Sequence, residues 1–253
     1  MADRIEITKS GGKVTKIDWT KDGSILTVTT SNGYFLGFLT TIPQLYSAYE
    51  TNVALLSSLT EVSIIDAANN NMVIAKMELE IEPGFVNLGP MHFAVGMNSS
   101  IWYYRWRETP FGLPDPKQPV SLVCKRDYFG TIKSVCMNDV FTAILSDGVV
   151  TVHMIEGQQG EDFKLPPQSD KPIVQFYIIE SFLIMLDAGG KLMYYLIEDQ
   201  ALLTEHKEEN TIVKVFPNRK GTRIVCVDGT GNGFFYNPVT DSSIMIPNFS
   251  ADT

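Results

Sequence analysis

The chain has 253 residues, of which 44% are apolar, and this is enough for a substantial core in a single domain, residues 1–253. Its formal net charge of −9 repels phosphate backbones, so nucleic acid is not an expected partner. No apolar run approaches the roughly 20 residues that cross a bilayer. The first residues lack the basic-then-apolar form of a secretory signal. We therefore expect a cytoplasmic protein without membrane insertion.

Short β-rich runs alternate with polar turns along the whole chain, and the pattern returns about every 40 residues. Asn-Gly, Asn-Ser and Asp-Gly sites between the runs favour tight hairpins, because these residues adopt positive φ at low cost. In chain order the predicted strands are residues 14–20, 24–30 and 34–39; 53–56, 61–65 and 72–77; 85–88, 93–97 and 101–106; 131–137, 141–145 and 149–155; 173–179, 182–186 and 192–197; and 212–216, 223–227 and 233–237. A variable fourth strand follows each set.

This recurrence predicts an all-β fold, a WD40-like β-propeller with about six four-stranded blades and degenerate repeats. The third strands are aromatic, as in residues 102–104 and 234–236, and we expect these side chains to pack between blades. An alternating run at residues 4–8 is predicted to pair as an outer strand, with the last blade near residues 243–247 as its partner, because this would remove exposed edges.

No constellation for catalysis or cofactor binding is found in the sequence. The three histidines lie in three different units without the spacing of a local metal site, and the three cysteines fall inside strands without a C-x-x-C pair. These residues are His92, His153, His206, Cys124, Cys136 and Cys226. We therefore predict no enzyme activity, no catalytic, cofactor-binding or metal-binding residues, and no small-molecule substrate.

Two irregular segments are candidate sites for protein binding. Residues 107–119 place four prolines in one connection, which predicts a stiff projecting loop. This loop is either a contact arm for another protein, through Arg107, Phe111 and Leu113, or a tolerated surface insertion. The short basic runs of the chain, including the one that ends at Arg107, are interpreted as solvated faces.

Residues 43–52 form the second irregular segment. Leu45, Ala48 and Tyr49 have the spacing of a short amphipathic turn of helix, which would cover an edge of the propeller. Tyr46 and Tyr49 are the candidate contact residues of this segment.

Several sequence blocks resemble one known family. The blocks occur in order at residues 17–23, 37–40, 55–64, 82–86, 93–98, 128–131 and 246–250, and those at 82–86 (E-P-G-F-V) and 93–98 (F-A-V-G-M-N) are the most specific. Over nearly the whole chain they are similar to the second propeller of the WD-repeat subunits of intraflagellar transport complex A. The resemblance implies a scaffold that binds the other propeller-and-solenoid subunits of complex A. It also implies a role in dynein-driven return transport and in the ciliary entry of membrane proteins. The implied locations are the cytoplasm, the cilium or flagellum and the basal body.

The chain also departs from this family. The family members are much longer, so we expect a fragment of a chain with a preceding propeller and a following helical solenoid. Trp-Asp dipeptides and the histidine-containing tetrad of regular WD40 blades are missing. Two other functions stay open, a propeller of a vesicle-coat subunit and a peptide-reading WD-repeat adaptor such as a substrate receptor of a ubiquitin ligase.

Overall fold

A computed structural model describes residues 12–21, 23–39, 45–108, 120–156, 162–163 and 169–249. Within these ranges the chain forms antiparallel β-sheets and no helix, so the expected all-β fold is confirmed. None of the described residues belongs to a helix long and apolar enough to cross a membrane. The chain divides into two compact units, Met1–Gln44 and Leu45–Thr253.

The described part of the first unit forms one three-stranded sheet with strands in sequence order. Its strands are β1 (Val14–Trp19), β2 (Ile25–Thr30) and β3 (Phe35–Leu39), close to the predicted bounds. Tyr34 and Phe35 are 53% and 70% exposed, so the expectation that third-strand aromatic residues pack between blades is wrong in this unit. In a small sheet of this kind, aromatic residues become buried only where another layer covers the face from which they project.

The second unit contains five four-stranded sheets, each with its strands in sequence order. We number these sheets one to five along the chain. Their strands are β4 (Tyr46–Tyr49), β5 (Asn52–Ser58), β6 (Glu61–Asp66) and β7 (Met72–Glu78); β8 (Phe85–Leu88), β9 (His92–Met97), β10 (Ser100–Arg105) and β11 (Ser121–Asp127); β12 (Ile132–Met137), β13 (Phe141–Ser146), β14 (Val149–Met154) and β15 (Asp162–Phe163); β16 (Ile173–Ile179), β17 (Phe182–Asp187), β18 (Leu192–Leu196) and β19 (Ala201–His206); and β20 (Ile212–Pro217), β21 (Ile224–Asp228), β22 (Gly233–Asn237) and β23 (Ser242–Met245).

Sheet one corrects the strand order that the sequence predicted. The runs expected to be its first three strands are β5, β6 and β7, the second to fourth strands. The first strand is β4, which lies in the segment predicted to be a turn of helix. Glu50 adopts φ of 54° in the turn that joins β4 to β5. Since glutamate rarely takes a left-handed conformation, the sequence gives no ordinary signal for this hairpin.

Consecutive sheets of the second unit pack against each other through continuous apolar clusters. Tyr103, Tyr195 and Tyr236 are fully buried in three of these clusters, between sheets two and three, three and four, and four and five, respectively. The expected packing of third-strand aromatic residues is therefore confirmed for these positions. Phe235, which is 49% exposed, is an exception on β22. The predicted strand at residues 4–8 lies outside the described residues.

The hairpin between β21 and β22 is held by a buried carboxylate. Oδ1 of Asp228 accepts hydrogen bonds from the Thr230 hydroxyl at 2.6 Å and from the backbone N–H groups of Thr230 and Asn232, both at 2.9 Å. Oδ2 accepts a bond from the Asn210 amide at 3.1 Å. These donors, the Thr230 hydroxyl first among them, hold the pKa of Asp228 at about 2, below its usual value of 3.8, although burial opposes this shift.

This geometry predicts a pH-dependent contribution of Asp228 to stability. Because the folded pKa lies below the unfolded value, the contribution is present above pH 3.8 and is lost as the pH falls towards 2. In urea titrations, the chain should be more stable than Asp228→Asn at neutral pH, and the difference in the free energy of unfolding should shrink across this window. A difference that stays constant from neutral pH to about 2 would contradict the assignment.

Candidate interaction surface

Arg107 is buried rather than displayed on a projecting loop. Its residue is 4% exposed, its guanidinium lies 4.3 Å from the centre of the Trp106 ring, and its Nη1 is 4.0 Å from Oε2 of Glu50. Burial lowers the pKa of this guanidinium and the Glu50 carboxylate opposes that effect. The interpretation of Arg107 as part of a solvated face is therefore wrong, because a planar guanidinium can be buried by stacking on an aromatic ring and facing a carboxylate.

Glu50 connects three sheets of the second unit. It follows β4 in sheet one, approaches Arg107 after β10 of sheet two, and forms an ion pair with Arg219 between β20 and β21 of sheet five. Tyr49 packs against the apolar cluster between sheets one and two, and burial, reinforced by the Glu50 charge, raises the pKa of its hydroxyl. The structure thus brings Arg107 and Tyr49 together around one carboxylate.

The other predicted contact residues do not join this cluster. Tyr46 is 70% exposed on β4 and is accessible to a partner. Phe111 and Leu113 lie outside the described residues. A contact role for these positions stays a prediction.

Phe129 is an exposed aromatic residue that the sequence analysis did not select. Its side chain is fully exposed in the connection between β11 and β12. The backbone around it is nonetheless fixed, because the Ser146 hydroxyl donates to the Phe129 carbonyl at 2.9 Å and the Tyr128 N–H donates to the Ser99 carbonyl at 2.8 Å. Gly130, which follows, has φ of 83°. A bulky apolar group is therefore presented to solvent on a loop of defined conformation.

Two further apolar side chains lie at the same end of sheets two and three. Met97 ends β9 and is 39% exposed, and Val149 begins β14 and is 57% exposed. The hairpin turns beside them hold the connection that carries Phe129. We call Met97, Phe129 and Val149 the Phe129 surface.

A polar cluster surrounds the side chain of Tyr128, the residue before Phe129. Nδ1 of His153 lies 2.8 Å from the Met154 carbonyl oxygen. Because a carbonyl oxygen can only accept, Nδ1 carries the proton of the neutral ring. Nε2 therefore accepts a hydrogen bond from the Tyr128 hydroxyl at 2.6 Å. The Tyr103 hydroxyl is 2.9 Å from that of Tyr128. Burial raises the pKa of Tyr103 to about 12 and that of Tyr128 above its usual value, so both phenols stay neutral. The cluster thus links sheets two and three through hydrogen bonds.

The histidines contact carboxylates or phenols and do not converge. His92 bonds Glu156 across sheets two and three, and His206 lies between Glu208 and Asp241. In the described part of the chain, no three His, Cys, Asp or Glu residues form a group that could hold a metal ion.

The chain is similar to proteins of one family. The model of the WDR19 second β-propeller matches residues 53–253. WD repeat-containing protein 19 of Homo sapiens is 33% identical over an alignment of 241 residues that covers 92% of this chain and 17% of the human protein. WD repeat-containing protein dyf-2 of Caenorhabditis elegans is 22% identical over 90% of this chain and 18% of its own length. The chain thus spans less than a fifth of these relatives.

The solved structure of Kluyveromyces lactis Hsv2 has the same fold. Its TM-score to this chain is 0.55 at 11% sequence identity, over 90% of this chain and 75% of Hsv2. The expected WD40-like propeller fold is therefore confirmed, and it is a scaffold fold rather than that of an enzyme family. The extent of the family match shows that the chain belongs to the WDR19 second β-propeller family.

Proposed function

We propose that this chain is a non-enzymatic, protein-binding scaffold domain of intraflagellar transport complex A. It binds other propeller-and-solenoid subunits of that complex, supports retrograde transport in cilia or flagella, and assists the ciliary entry of membrane proteins. It acts in the cytoplasm, at the basal body and in the cilium. The observation that carries the proposal is the match of residues 53–253 to the WDR19 second propeller.

The Phe129 surface suits this role physically. Binding energy concentrates in a few buried aromatic residues, and a side chain that is already held in place loses less entropy when it binds. Phe129 combines full exposure with a backbone fixed by neighbouring hairpins. We assign it as an anchor for a partner subunit.

The Phe129→Ser variant tests this anchor in the full-length protein that contains the chain. Because the side chain is exposed, folding should be unchanged, while the affinity for the partner falls by about tenfold or more. Recovery of complex A subunits by affinity purification measures the effect. Val239→Ser, at a position that is 81% exposed in the turn between β22 and β23, is the matched control and should behave as the unmodified protein. Equal recovery with both variants would contradict the anchor.

The proline-rich segment remains a second proposed contact, through Phe111 and Leu113. Replacing both by Ser should leave thermal unfolding unchanged and reduce the recovery of partner subunits, since proline stiffening lowers the entropic cost of binding. Unchanged recovery would identify the segment as a surface insertion.

Affinity purification of the tagged full-length protein from ciliated cells, followed by mass spectrometry, tests the proposed function itself. We expect the complex A subunits to be recovered in near-stoichiometric amounts. Recovery of vesicle-coat subunits or of ubiquitin-ligase subunits in their place would contradict the proposal.

A further inference from the structure

A cleft at one end of sheet four is lined by three lysines. Its volume is about 380 Å³, and Lys171, Lys191 and Lys207 surround it. Lys171 precedes β16, Lys191 precedes β18, and Lys207 follows β19. Leu192 pairs with His206, so Lys191 and Lys207 lie next to each other just beyond the paired ends of β18 and β19. The cleft therefore brings three ammonium groups together in a chain whose net charge is −9.

Asp187 also lines the cleft, and both of its carboxylate oxygens already accept hydrogen bonds. Oδ1 accepts the backbone N–H groups of Gly189 at 2.7 Å and Lys191 at 2.9 Å, and Oδ2 accepts the Ser169 hydroxyl at 2.5 Å. Burial opposes the ionisation of Asp187, but these donors outweigh it and lower the pKa. Asp187 is thus an ionised structural carboxylate that holds the hairpin.

Two of the three ammonium groups form no ion pair with a described residue. Lys191 Nζ is 2.6 Å from Glu205. Across the ranges that the structure describes, Lys171 and Lys207 have no carboxylate oxygen within the 4.0 Å of an ion pair. Asp170 and Asp187 line the cleft and Lys171 contributes to the lowered pKa of Asp187, so with Glu205 three carboxylates accompany the three ammonium groups.

The equivalent position in sheet five shows what distinguishes this cleft. Asp228 ends β21 in sheet five, as Asp187 ends β17 in sheet four. In both sheets the next residue donates its backbone N–H to a carbonyl just before the first strand of the sheet: Ala188 donates to Pro172, and Gly229 donates to Thr211. The positions of Lys171 and Lys191 are occupied there by Asn210 and Asn232, whose amides donate to the Asp228 carboxylate. In sheet four, lysines therefore stand at the two positions whose asparagine side chains donate to the carboxylate in sheet five.

We propose that the lysine cleft binds an acidic peptide segment of a partner protein, with separate carboxylates on Lys171 and Lys207. Phosphate sites use several converging backbone N–H donors, but the N–H groups of Gly189 and Lys191 already donate to Asp187. A lysine ammonium is a compact point charge, and Lys171 and Lys207 come from opposite ends of the sheet-four sequence, so each can take its own carboxylate. The inference rests on the proposed protein-binding function, because it specifies the chemistry of a partner.

Fluorescence anisotropy of a labelled hexaglutamate peptide with the purified chain tests the inference. We expect binding that weakens with salt, no binding of hexaglutamine, and a loss of about tenfold or more in affinity for the double variant Lys171→Glu, Lys207→Glu. The matched control is Lys133→Glu, Lys214→Glu, which makes the same charge change at exposed residues of sheets three and five and should bind as the unmodified chain.

Three outcomes would overturn the inference: equal binding by the cleft variant, equal losses in both double variants, or binding to phosphoinositide vesicles without binding to the peptide. Circular dichroism of both double variants checks that their folds are intact. A failed peptide experiment would leave the recovery of complex A subunits unaffected, so the failure of this inference differs from a failure of the proposed function.

Discussion

Gly190→Ala is expected to lower the free energy of unfolding by about 3 kcal/mol or more, through a left-handed backbone and a steric clash together. Gly190 has φ of 77° in the hairpin between β17 and β18. A Cβ there would lie 2.7 Å from the Ile212 nitrogen and 3.1 Å from Cα of Thr211. Since these are backbone atoms at the start of sheet five, the clash can be relieved only by moving one sheet relative to the other.

Gly221→Ala is the matched control for this substitution. Gly221 has φ of 66°, but its Cβ would meet only side chains, with Phe182 nearest at 3.4 Å. We therefore expect only the backbone cost, about 1 kcal/mol. Urea unfolding monitored by tryptophan fluorescence measures both variants. Equal stabilities of the two variants would contradict the close packing of sheets four and five at Gly190.

Tyr195→Ala should lower the free energy of unfolding by about 3–5 kcal/mol, because it empties a fully buried aromatic site. Tyr195 is 0% exposed and packs in the cluster between sheets three and four. Phe235→Ala removes another third-strand aromatic residue, but one that is 49% exposed, and it should cost less than about 1 kcal/mol.

Differential scanning calorimetry of the two variants tests this contrast. The midpoint of Tyr195→Ala should fall by several degrees more than that of Phe235→Ala. If both substitutions shift the midpoint by the same amount, the assignment of inward and outward faces on the third strands is wrong.

The sequence predicted most strands because turn residues mark their ends. β16 and β22 have the predicted bounds, and each follows a turn that contains glycine, asparagine or aspartate. β4 was missed because Glu50 takes the left-handed position of its turn and because Leu45, Ala48 and Tyr49 have the spacing of a helical turn. Local composition predicts a hairpin only where the turn uses residues that favour positive φ.

The candidate sites were less predictable, because they depend on contacts between distant residues. The backbone around Phe129 is held by hydrogen bonds to Ser99, in the turn between β9 and β10, and to Ser146, which ends β13. The lysine cleft joins residues from three separate strand ends. Arg107 looked solvated in sequence, and only the packing of sheets one and two reveals its contacts with Trp106 and Glu50. One local signal was available for Phe129, the glycine that follows it with positive φ.

Hydroxyl-radical footprinting of the chain, free and within the assembled full-length complex, tests most directly whether it acts as a protein-binding scaffold. Phe129 and Met97 react with radicals in proportion to their exposure, and both are exposed in the free chain. The account predicts strong labelling of Phe129 in the free chain and strong protection in the complex, with Val239 labelled equally in both as an internal reference. Identical labelling of every exposed side chain in the two states would contradict it.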